Sequence, residues 1–507
     1  MKSTELTSLW LKELEARPVF MAVVAAILIR ALALIIGFQD YWGDSYHNII
    51  MSNLTLDNGW VYSDFKDRHL TWLPAFRYWG SLVIWITGSA KLITLNIANS
   101  FLGVVIVGLG TWLVRTVVGN KTAIVAGILL ALMPYLIVFS YMNMAEGFGA
   151  LLILYWVIGV EKKLKSVIFL AALLATLTRY ELVLYITMAA GYLIIVSRKQ
   201  AVLYTLLGII AGLSIWSWWS YLNTGDLLNW LWMRIESTTL STGFYAEDAG
   251  FFQRFVLLPF FAMLQAFPLI VAFIWLKKVD LRTKEYSLTY FLATLILSGL
   301  LFFAYAQTSV IVYPDPRYLV MILPLTVIWF CLIWSRGFFR PFITTRFLIM
   351  VTTLSLLQLV IPYYRQFSLQ PRIEMGEWMN EHLTDTAIVW SDNAVTIAQS
   401  DLPLTIFKSS TQLGFSNMDQ IEDIIIADRL RESKVEYLTV YPAPYSTSHQ
   451  LFLELLDNVT FEKNGVTFVP VFKYAPYRMQ KASAHEYLRS KFESGAQPAS
   501  IWKLYYE

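Results

Sequence analysis

Hydrophobic residues along this chain occur in long runs that are separated by short polar turns. About eleven of these runs have lengths suited to a membrane crossing, which takes about 20 apolar residues as an α-helix. They lie near 18–38, 95–115, 122–141, 145–160, 166–178, 181–197, 201–222, 254–276, 286–308, 317–335 and 343–363. The pattern predicts a polytopic α-helical membrane protein whose first run is a retained helix rather than a cleaved signal peptide.

One apolar stretch, residues 72–90, does not fit this scheme as a span. It contains Pro74, Arg77 and three tryptophans, and counting it as a crossing would invert the orientation of every later loop. We interpret it as an amphipathic segment that lies at the membrane interface.

The pattern changes after about residue 364 to that of a soluble α/β domain. Helical spacing occurs over 375–382 and 418–433. Short strand-like runs occur at 387–390, 436–440, 467–472 and 501–505. The predicted organisation is an amphipathic N-terminus (1–17), a transmembrane domain (18–363) with a long polar loop (39–95), and a soluble domain (364–507).

Composition supports the membrane assignment. Of 507 residues, 57% are hydrophobic and 15% charged, and the mean hydropathy is +0.54. A soluble domain has about 25% charged residues, so this chain could not solvate its whole surface. The net charge of +3 is small, and nothing in it indicates a nucleic-acid partner.

The positions of lysine and arginine predict the orientation. With the N-terminus inside, alternate connections carry an excess of positive charge, as cytoplasmic loops do. These residues are Arg115, Lys121, Lys162, Lys163, Lys165, Arg198, Lys199, Lys277, Lys278, Arg282, Lys284, Arg336, Arg340 and Arg346. The loop 39–95, the loop 223–253 and the tail after residue 364 are therefore expected outside the cytoplasm.

The polar loop after the first helix contains candidate chemistry. It carries several acidic and basic side chains: Asp40, Asp44, His47, Asp57, Asp64, Asp67, Arg68 and His69. Most of the acids can be solvated loop residues. Asp44 differs because Tyr41, Trp42 and Tyr46 surround it in sequence, and a carboxylate among aromatic walls can act as a general base near neutral pH.

Glu146 begins an apolar run on the same predicted face. An ionisable group there is often functional, although an acid at a helix N-terminus can simply complement the helix dipole. Asp44 and Glu146 lie on successive outward loops, and such a pair could orient an acceptor hydroxyl or hold a divalent cation.

Two arginines interrupt later apolar runs at the same face. Arg179 precedes Tyr180 and Glu181, and Arg317 precedes Tyr318. A guanidinium can bind phosphate in a bidentate fork. The alternatives are that Arg179 pairs locally with Glu181 and that Asp315 neutralises Arg317.

The order of these parts resembles the GT-C superfamily of membrane glycosyltransferases, which includes protein O-mannosyltransferases and the aminoarabinose transferase of lipid A. The resemblance covers residues 18–363. The corresponding segments are Gly43-Asp44, Arg68–Trp79, Met144–Glu146, Thr178–Glu181, Tyr221–Asp226, and Pro316–Leu319 followed by Pro324. Gly43-Asp44-Ser45 departs from the adjacent acids of relatives, and His69–Pro74 departs from their His-Pro pattern.

The resemblance implies inverting transfer of a sugar, mannose by frequency among relatives, from dolichyl or undecaprenyl phosphate to a lipid, glycan or protein acceptor. Asp44 would be the general base, Glu146 would position donor or acceptor, and Arg179 and Arg317 would bind the phosphate. The supporting residues would be His47, Arg68, His69, Tyr180, Glu181 and Tyr318. Both metal-free and metal-dependent transfer occur among relatives, and the sequence leaves this choice open. The site would face outward or lumenally, in a plasma or ER-type membrane.

Two other function classes remain open at this stage. A transporter or flippase of lipid-linked glycans would use intramembrane charges as a path, but the ionisable residues cluster at one face and no inverted repeat is evident. A non-catalytic subunit that binds lipid-linked glycans would keep the arginines and tolerate loss of Asp44.

Overall fold

The computed structural model describes a set of segments that together cover most of the helical region and much of the C-terminal domain. These are residues 17–62, 73–232, 256–257, 259–260, 287–306, 316–336, 353, 357, 359–409, 412–413, 423–441, 455, 459–474 and 499–506. Arg68, His69 and most of the predicted spans 254–276 and 343–363 lie outside them. The chain forms two compact units, Met1–Phe38 with His69–Val360, and Gln39–Arg68 with Ile361–Glu507.

The chain up to residue 336 is helical wherever the structure describes it, apart from short connections. Its α-helices are α1 (Pro18–Ile35), α2 (Gly43–Asp57), α3 (Ala75–Thr87), α4 (Leu92–Val118), α5 (Asn120–Leu132), α6 (Pro134–Tyr141), α7 (Ala145–Lys162), α8 (Lys165–Thr176), α9 (Tyr180–Ile195), α10 (Lys199–Thr224), α11 (Leu288–Ala306) and α12 (Leu323–Ser335). A 3-10 helix, Pro316–Ile322, leads into α12. All of these except α2 lie in the first unit.

Several of these helices can cross a bilayer by length and composition. Among the described residues four qualify, Pro18–Ile35, Leu92–Val118, Lys199–Thr224 and Arg317–Ser335. A fifth is obtained if α5 and α6, which are bent by 56°, form one broken span. The prediction of a helical protein with several apolar helices is confirmed, and the number of eleven spans remains a prediction.

The segment that did not fit as a span forms the short helix α3. Thirteen residues rise about 20 Å along a helix, less than the hydrocarbon core of about 30 Å. One side of α3 buries Phe76 and Arg77, while Trp85 and Ile86 are exposed. The short length of α3 and its division into a buried and an exposed side agree with an interfacial segment. Its location at the membrane interface remains a prediction.

Helices α8 and α10 pack closely and run in the same direction. A Cβ on Gly208 would lie 2.5 Å from the Phe169 carbonyl oxygen, and one on Gly212 would lie 2.8 Å from the Thr176 side chain. The contact positions increase together along both helices, so the two are parallel. Glycine therefore permits backbone contact here, and the two N-termini lie at the same end of the helix pair.

The second unit contains the C-terminal α/β domain. Its helices are α13 (Val360–Arg365), α14 (Gln370–His382), α15 (Ala394–Gln399) and α16 (Asp423–Glu432), and its strands are β1 (Val389–Trp390), β2 (Phe407–Lys408), β3 (Tyr437–Val440), β4 (Phe461–Lys463), β5 (Val466–Lys473) and β6 (Ser500–Tyr506). The strand order is β2-β1-β3-β6-β5-β4. The pairs that β1 makes with β2 and β3 are parallel and the other pairs are antiparallel. The predicted α/β character of the tail is confirmed, whereas β2, β4 and α15 were not predicted.

Helix α2 belongs to this second unit and packs against α15. The segment before α2 also contacts the C-terminal chain, because the Gln39 backbone N–H donates to Gln366 Oε1 at 2.6 Å. The Arg365 guanidinium lies over the rings of Tyr41 and Trp42, 5.3 Å and 4.8 Å from their centroids. The sequence had assigned the loop 39–95 to the transmembrane domain, and these contacts join its first part to the C-terminal segment.

Candidate active site

In the first unit, Glu146 forms ion pairs with two arginines from other segments of the chain. It lies in the first turn of α7. Its side chain is fully buried. Its Oε1 accepts hydrogen bonds from Arg179 Nη1 at 2.9 Å and from Arg317 Nε at 2.5 Å. Residues 33 and 171 positions away in sequence therefore meet at a single carboxylate oxygen.

Arg179 is held by a second carboxylate. It has an extended backbone just before α9, and its Nε and Nη2 donate to the two Glu181 oxygens at 3.1 Å and 2.9 Å. This is the bidentate fork that a guanidinium forms with a carboxylate. The local Arg179–Glu181 pair therefore exists together with the long-range contact to Glu146. We refer to Glu146, Arg179, Glu181 and Arg317 as the arginine–glutamate cluster.

The cluster contains two cations and two carboxylates, and all four side chains are largely buried. Burial lowers the pKa of the Arg179 guanidinium, but the charges of Glu181 and Glu146 outweigh this and raise its pKa above the usual value. An arginine carries five N–H donors, and the hydrogen bonds of Arg179 use three of them. Among the described residues no acceptor is recorded for its other two donors, and the side chain is 12% exposed.

The 3-10 helix Pro316–Ile322 supplies Arg317 and Tyr318 to the cluster. The Arg179 guanidinium lies 5.8 Å from the Tyr318 ring centroid, and the Tyr185 hydroxyl donates to the Tyr318 carbonyl oxygen at 3.4 Å. Tyr180, the other aromatic residue predicted at this site, stacks on Trp230 with centroids 5.7 Å apart. The structure thus joins Tyr318 to the cluster and gives Tyr180 a separate aromatic partner.

A chain of polar residues that the sequence did not single out holds the turn before Glu146. Trp79 Nε1 donates to Asn99 Oδ1 at 2.9 Å, and Asn99 Nδ2 donates at 3.3 Å to the Met142 carbonyl oxygen and to Asn143 Oδ1. Trp79 also stacks on Phe148. These contacts tie α3 and α4 to the start of α7. The available signal was the presence of Asn99 inside an apolar run, where an amide requires a partner.

Gly147 lets α6 pack directly against the first turn of α7. A Cβ at Gly147 would lie 2.8 Å from the Phe139 carbonyl oxygen and 3.1 Å from the Ser140 Cα. We expect Gly147→Ala to destabilise the protein by about 1–3 kcal/mol because backbone atoms must shift. Glu146 should shift with them, and the thermal midpoint of the purified protein in detergent measures the loss.

The control for this substitution is Gly191→Ala on α9. No atom lies within 4 Å of a Cβ built at Gly191, among the residues that the structure describes. Alanine there should be neutral or stabilise by about 0.5–1 kcal/mol, because it lowers the entropy of the unfolded chain. Equal thermal midpoints for the two variants would contradict the role given to Gly147.

Asp44 and His47 lie in the second unit, on the first turns of α2, and both are half-buried. Tyr41 and Tyr46, the aromatic neighbours of Asp44 in sequence, are both buried. Asp40 is 1% exposed, which makes it more deeply buried than Asp44, and no particular role was predicted for it. Asp57 ends the same helix in an exposed position and accepts a hydrogen bond from Asn53 Nδ2 at 3.2 Å.

Two predicted site residues, Arg68 and His69, lie outside the described segments. Within those segments, no group of three or more His, Cys, Asp or Glu side chains could hold a metal ion. The acids of the arginine–glutamate cluster are engaged by arginines. We therefore derive no step through a metal ion.

Comparison with solved structures identifies the architecture. ArnT from Cupriavidus metallidurans bound to undecaprenyl phosphate is 11% identical to this chain and superposes with a TM-score of 0.61, covering 86% of this chain and 95% of that chain. The apo ArnT structure is 12% identical, with a TM-score of 0.54 and the same coverage. The chain has the GT-C fold. At this level of identity the likeness concerns the fold.

A further structure with the GT-C fold is the apo oligosaccharyltransferase of Archaeoglobus fulgidus. It is 11% identical, with a TM-score of 0.47, and the match covers 85% of this chain and 70% of that chain. No family model matches the sequence. No curated protein sequence matches it either. The two ArnT structures confirm the expectation of a GT-C architecture, and the roles of individual residues remain predictions.

Proposed function

We propose that this protein is a GT-C glycosyltransferase that transfers a sugar from a polyprenyl-phosphate donor to an acceptor hydroxyl. The observation that carries the proposal is the arginine–glutamate cluster, because two arginines converge there on the helices of a GT-C fold. ArnT, whose fold this chain shares, was crystallised with undecaprenyl phosphate, a donor carrier of the proposed class.

In this mechanism the acceptor oxygen attacks the anomeric carbon of the sugar. The Asp44 carboxylate takes the proton from the acceptor hydroxyl, a glycosidic C–O bond forms, and the bond from the anomeric carbon to the phosphate oxygen breaks. The electron pair of that bond stays on the departing polyprenyl phosphate. Attack opposite to the leaving group inverts the anomeric configuration.

Arg179 and Arg317 stabilise the charge that develops on the departing phosphate. Preorganised cations in a site with little water contribute strongly to catalysis, because they need not reorient as charge develops. Glu146 and Glu181 act as positioning residues, since they fix Arg179 through three hydrogen bonds. The two N–H donors of Arg179 that these carboxylates leave available would face the phosphate.

The test is a transfer assay with purified full-length protein in detergent. Undecaprenyl- and dolichyl-phosphate donors carrying labelled mannose are supplied first, because mannose is the sugar that the resemblance favours, and then glucose, galactose and aminoarabinose. Membrane lipid and protein fractions serve as acceptors. We expect label to move into one fraction, with release of one polyprenyl phosphate per sugar transferred.

Other outcomes of this assay would favour the rival functions. Donor binding without transfer to any fraction would indicate a non-catalytic subunit that binds lipid-linked glycans. Movement of intact donor between the leaflets of reconstituted vesicles, again without transfer, would indicate a flippase. Either result would overturn the proposed enzyme activity.

A further inference from the structure

A second polar feature of the first unit is a basic cavity of about 300 Å³. It lies between the turn that joins α7 to α8 and the turn that joins α9 to α10. Four cationic side chains line it: Lys163, Lys165, Arg198 and Lys199. Glu161 is the one acid in the sequence of these two turns. The cavity therefore offers a strongly positive lining.

The cavity is separate from the candidate active site. Glu146 lies in the first turn of α7, whereas Val160, which lines the cavity, lies near its last turn. At a rise of about 1.5 Å per residue the two are about 21 Å apart along the helix. The cavity is at the end of α7 that the lysine and arginine pattern predicts to be cytoplasmic.

The N-termini of two helices add to the positive electrostatic potential of the cavity. Helices α8 and α10 are parallel, and their N-termini, at Lys165 and Lys199, both border the cavity. The preceding residues, Leu164 and Arg198, have no side-chain acceptor that could cap the first-turn N–H groups. Each helix N-terminus carries about half a positive charge, which favours an anion.

The surroundings of the cavity are apolar. Val160 and Ile168 form part of its lining, and Leu164, Ile194 and Ile195 expose large apolar side chains on the adjacent turns. A soluble anion gains nothing from such neighbours. A lipid can place its charged headgroup among the cations and its acyl chains along the apolar side chains, as occurs in basic pockets between helices on the cytoplasmic side of membranes.

We propose that this basic cavity binds the phosphate of an anionic phospholipid headgroup from the cytoplasmic leaflet. Lys163, Lys165, Arg198 and Lys199 contact the phosphate, and the first-turn N–H groups of α8 and α10 face it. This lipid site is separate from the candidate active site, and its lipid is expected to stabilise the protein. It does not depend on the proposed transfer activity.

The test measures lipid binding to full-length protein by native mass spectrometry and by thermal shift, with phosphatidylglycerol and phosphatidylcholine as probes. We expect phosphatidylglycerol to bind preferentially and to raise the thermal midpoint. The double variant Lys163→Gln/Lys199→Gln should weaken its binding by about 10- to 30-fold, since each cation near an anionic headgroup contributes about fivefold.

The matched control is Arg115→Gln/Lys121→Gln, which removes two charges from the same predicted face but from a turn outside the cavity. It should leave phosphatidylglycerol binding within about twofold, and Lys163→Arg/Lys199→Arg should retain binding. Equal losses in the two glutamine pairs would overturn the proposal, as would the absence of a preference for phosphatidylglycerol. Competition by inorganic phosphate or glycerol phosphate at equal concentration would show that the cavity takes a soluble phosphate instead.

Discussion

Replacing Asp44 with asparagine is expected to lower the rate of sugar transfer by about 10²–10⁴-fold, the usual contribution of a general base. The amide has nearly the same size and keeps polar contacts, but it cannot accept a proton from the acceptor hydroxyl. Donor binding should persist, because the arginines that we propose to bind the phosphate are unchanged. The measurement is single-turnover transfer of labelled sugar, alongside donor binding and the thermal midpoint.

Asp57→Asn is the matched control for this substitution. Asp57 ends the same helix as Asp44, about 20 Å away at the rise of an α-helix, and it is exposed. Its replacement should leave the transfer rate within about twofold. Comparable losses of transfer rate in the two variants would mean that transfer depends on the negative charge of α2 in general. Asp44 would then not be the general base.

Asp40→Asn separates the two acids that follow the first helix. Asp40 is almost fully buried, so its replacement is expected to act mainly on stability. If Asp40→Asn abolished transfer at an unchanged thermal midpoint while Asp44→Asn remained active, the base would be Asp40 and the assignment of Asp44 would be wrong.

The sequence predicted helix positions well where a run of apolar residues was long and uniform. The first run, 18–38, forms Pro18–Ile35, and the run 201–222 lies within Lys199–Thr224. The run 122–141 was predicted as one span, yet it breaks into two helices with a bend of 56°. The physical reason is Pro134, which cannot donate a backbone hydrogen bond and begins the second helix.

The candidate site was predictable only in part, because its contacts are remote in sequence. The sequence identified Glu146, Arg179 and Arg317 as separate charged interruptions, each unfavourable in an apolar run unless it is paired. No periodicity in the sequence indicates that Arg179 and Arg317 contact the same carboxylate oxygen of Glu146. The expected role of Glu146 is now to position the arginines, because both donate hydrogen bonds to it.

The packing of α2 against the C-terminal domain could not be predicted from the sequence either. Gln39 and Gln366 are 327 positions apart, and no local pattern marks their hydrogen bond. The cation–π contacts of Arg365 with Tyr41 and Trp42 are of the same kind. No function could be predicted for the tail from its sequence. These contacts indicate that it supports the segment that carries Asp44.

The second large effect is expected at Arg179. Arg179→Ala removes three hydrogen bonds from two carboxylates, of which Glu146 is 0% and Glu181 4% exposed. Glu146 keeps its contact with Arg317, but Glu181 loses the bidentate fork. Breaking a buried ion pair by removing one partner destabilises a protein by about 3–5 kcal/mol. We expect a markedly lower thermal midpoint and loss of binding to undecaprenyl phosphate. Arg179→Lys should have an intermediate effect, because an ammonium cannot reproduce the planar fork.

Arg115→Ala is the control for stability within the same unit. Arg115 is exposed, and its Nε donates to Asn120 Oδ1 at 3.0 Å. Its replacement should change stability by about 0.5 kcal/mol or less. An Arg179→Ala variant as stable as Arg115→Ala would show that the arginine–glutamate cluster is not a buried network in the membrane protein.

A double variant separates the structural role of Arg179 from its role toward phosphate. In Arg179→Met/Glu181→Leu both residues of the fork become apolar. No buried carboxylate then remains at position 181 without its arginine partner. Replacing both partners is much less destabilising than removing one, and residues in such contact couple by about 0.5–3 kcal/mol. The double variant should therefore recover part of the lost stability. Binding of undecaprenyl phosphate should stay lost, since the guanidinium is absent. If binding recovered together with stability, Arg179 would be a structural residue only, and the phosphate would have to be bound by other groups.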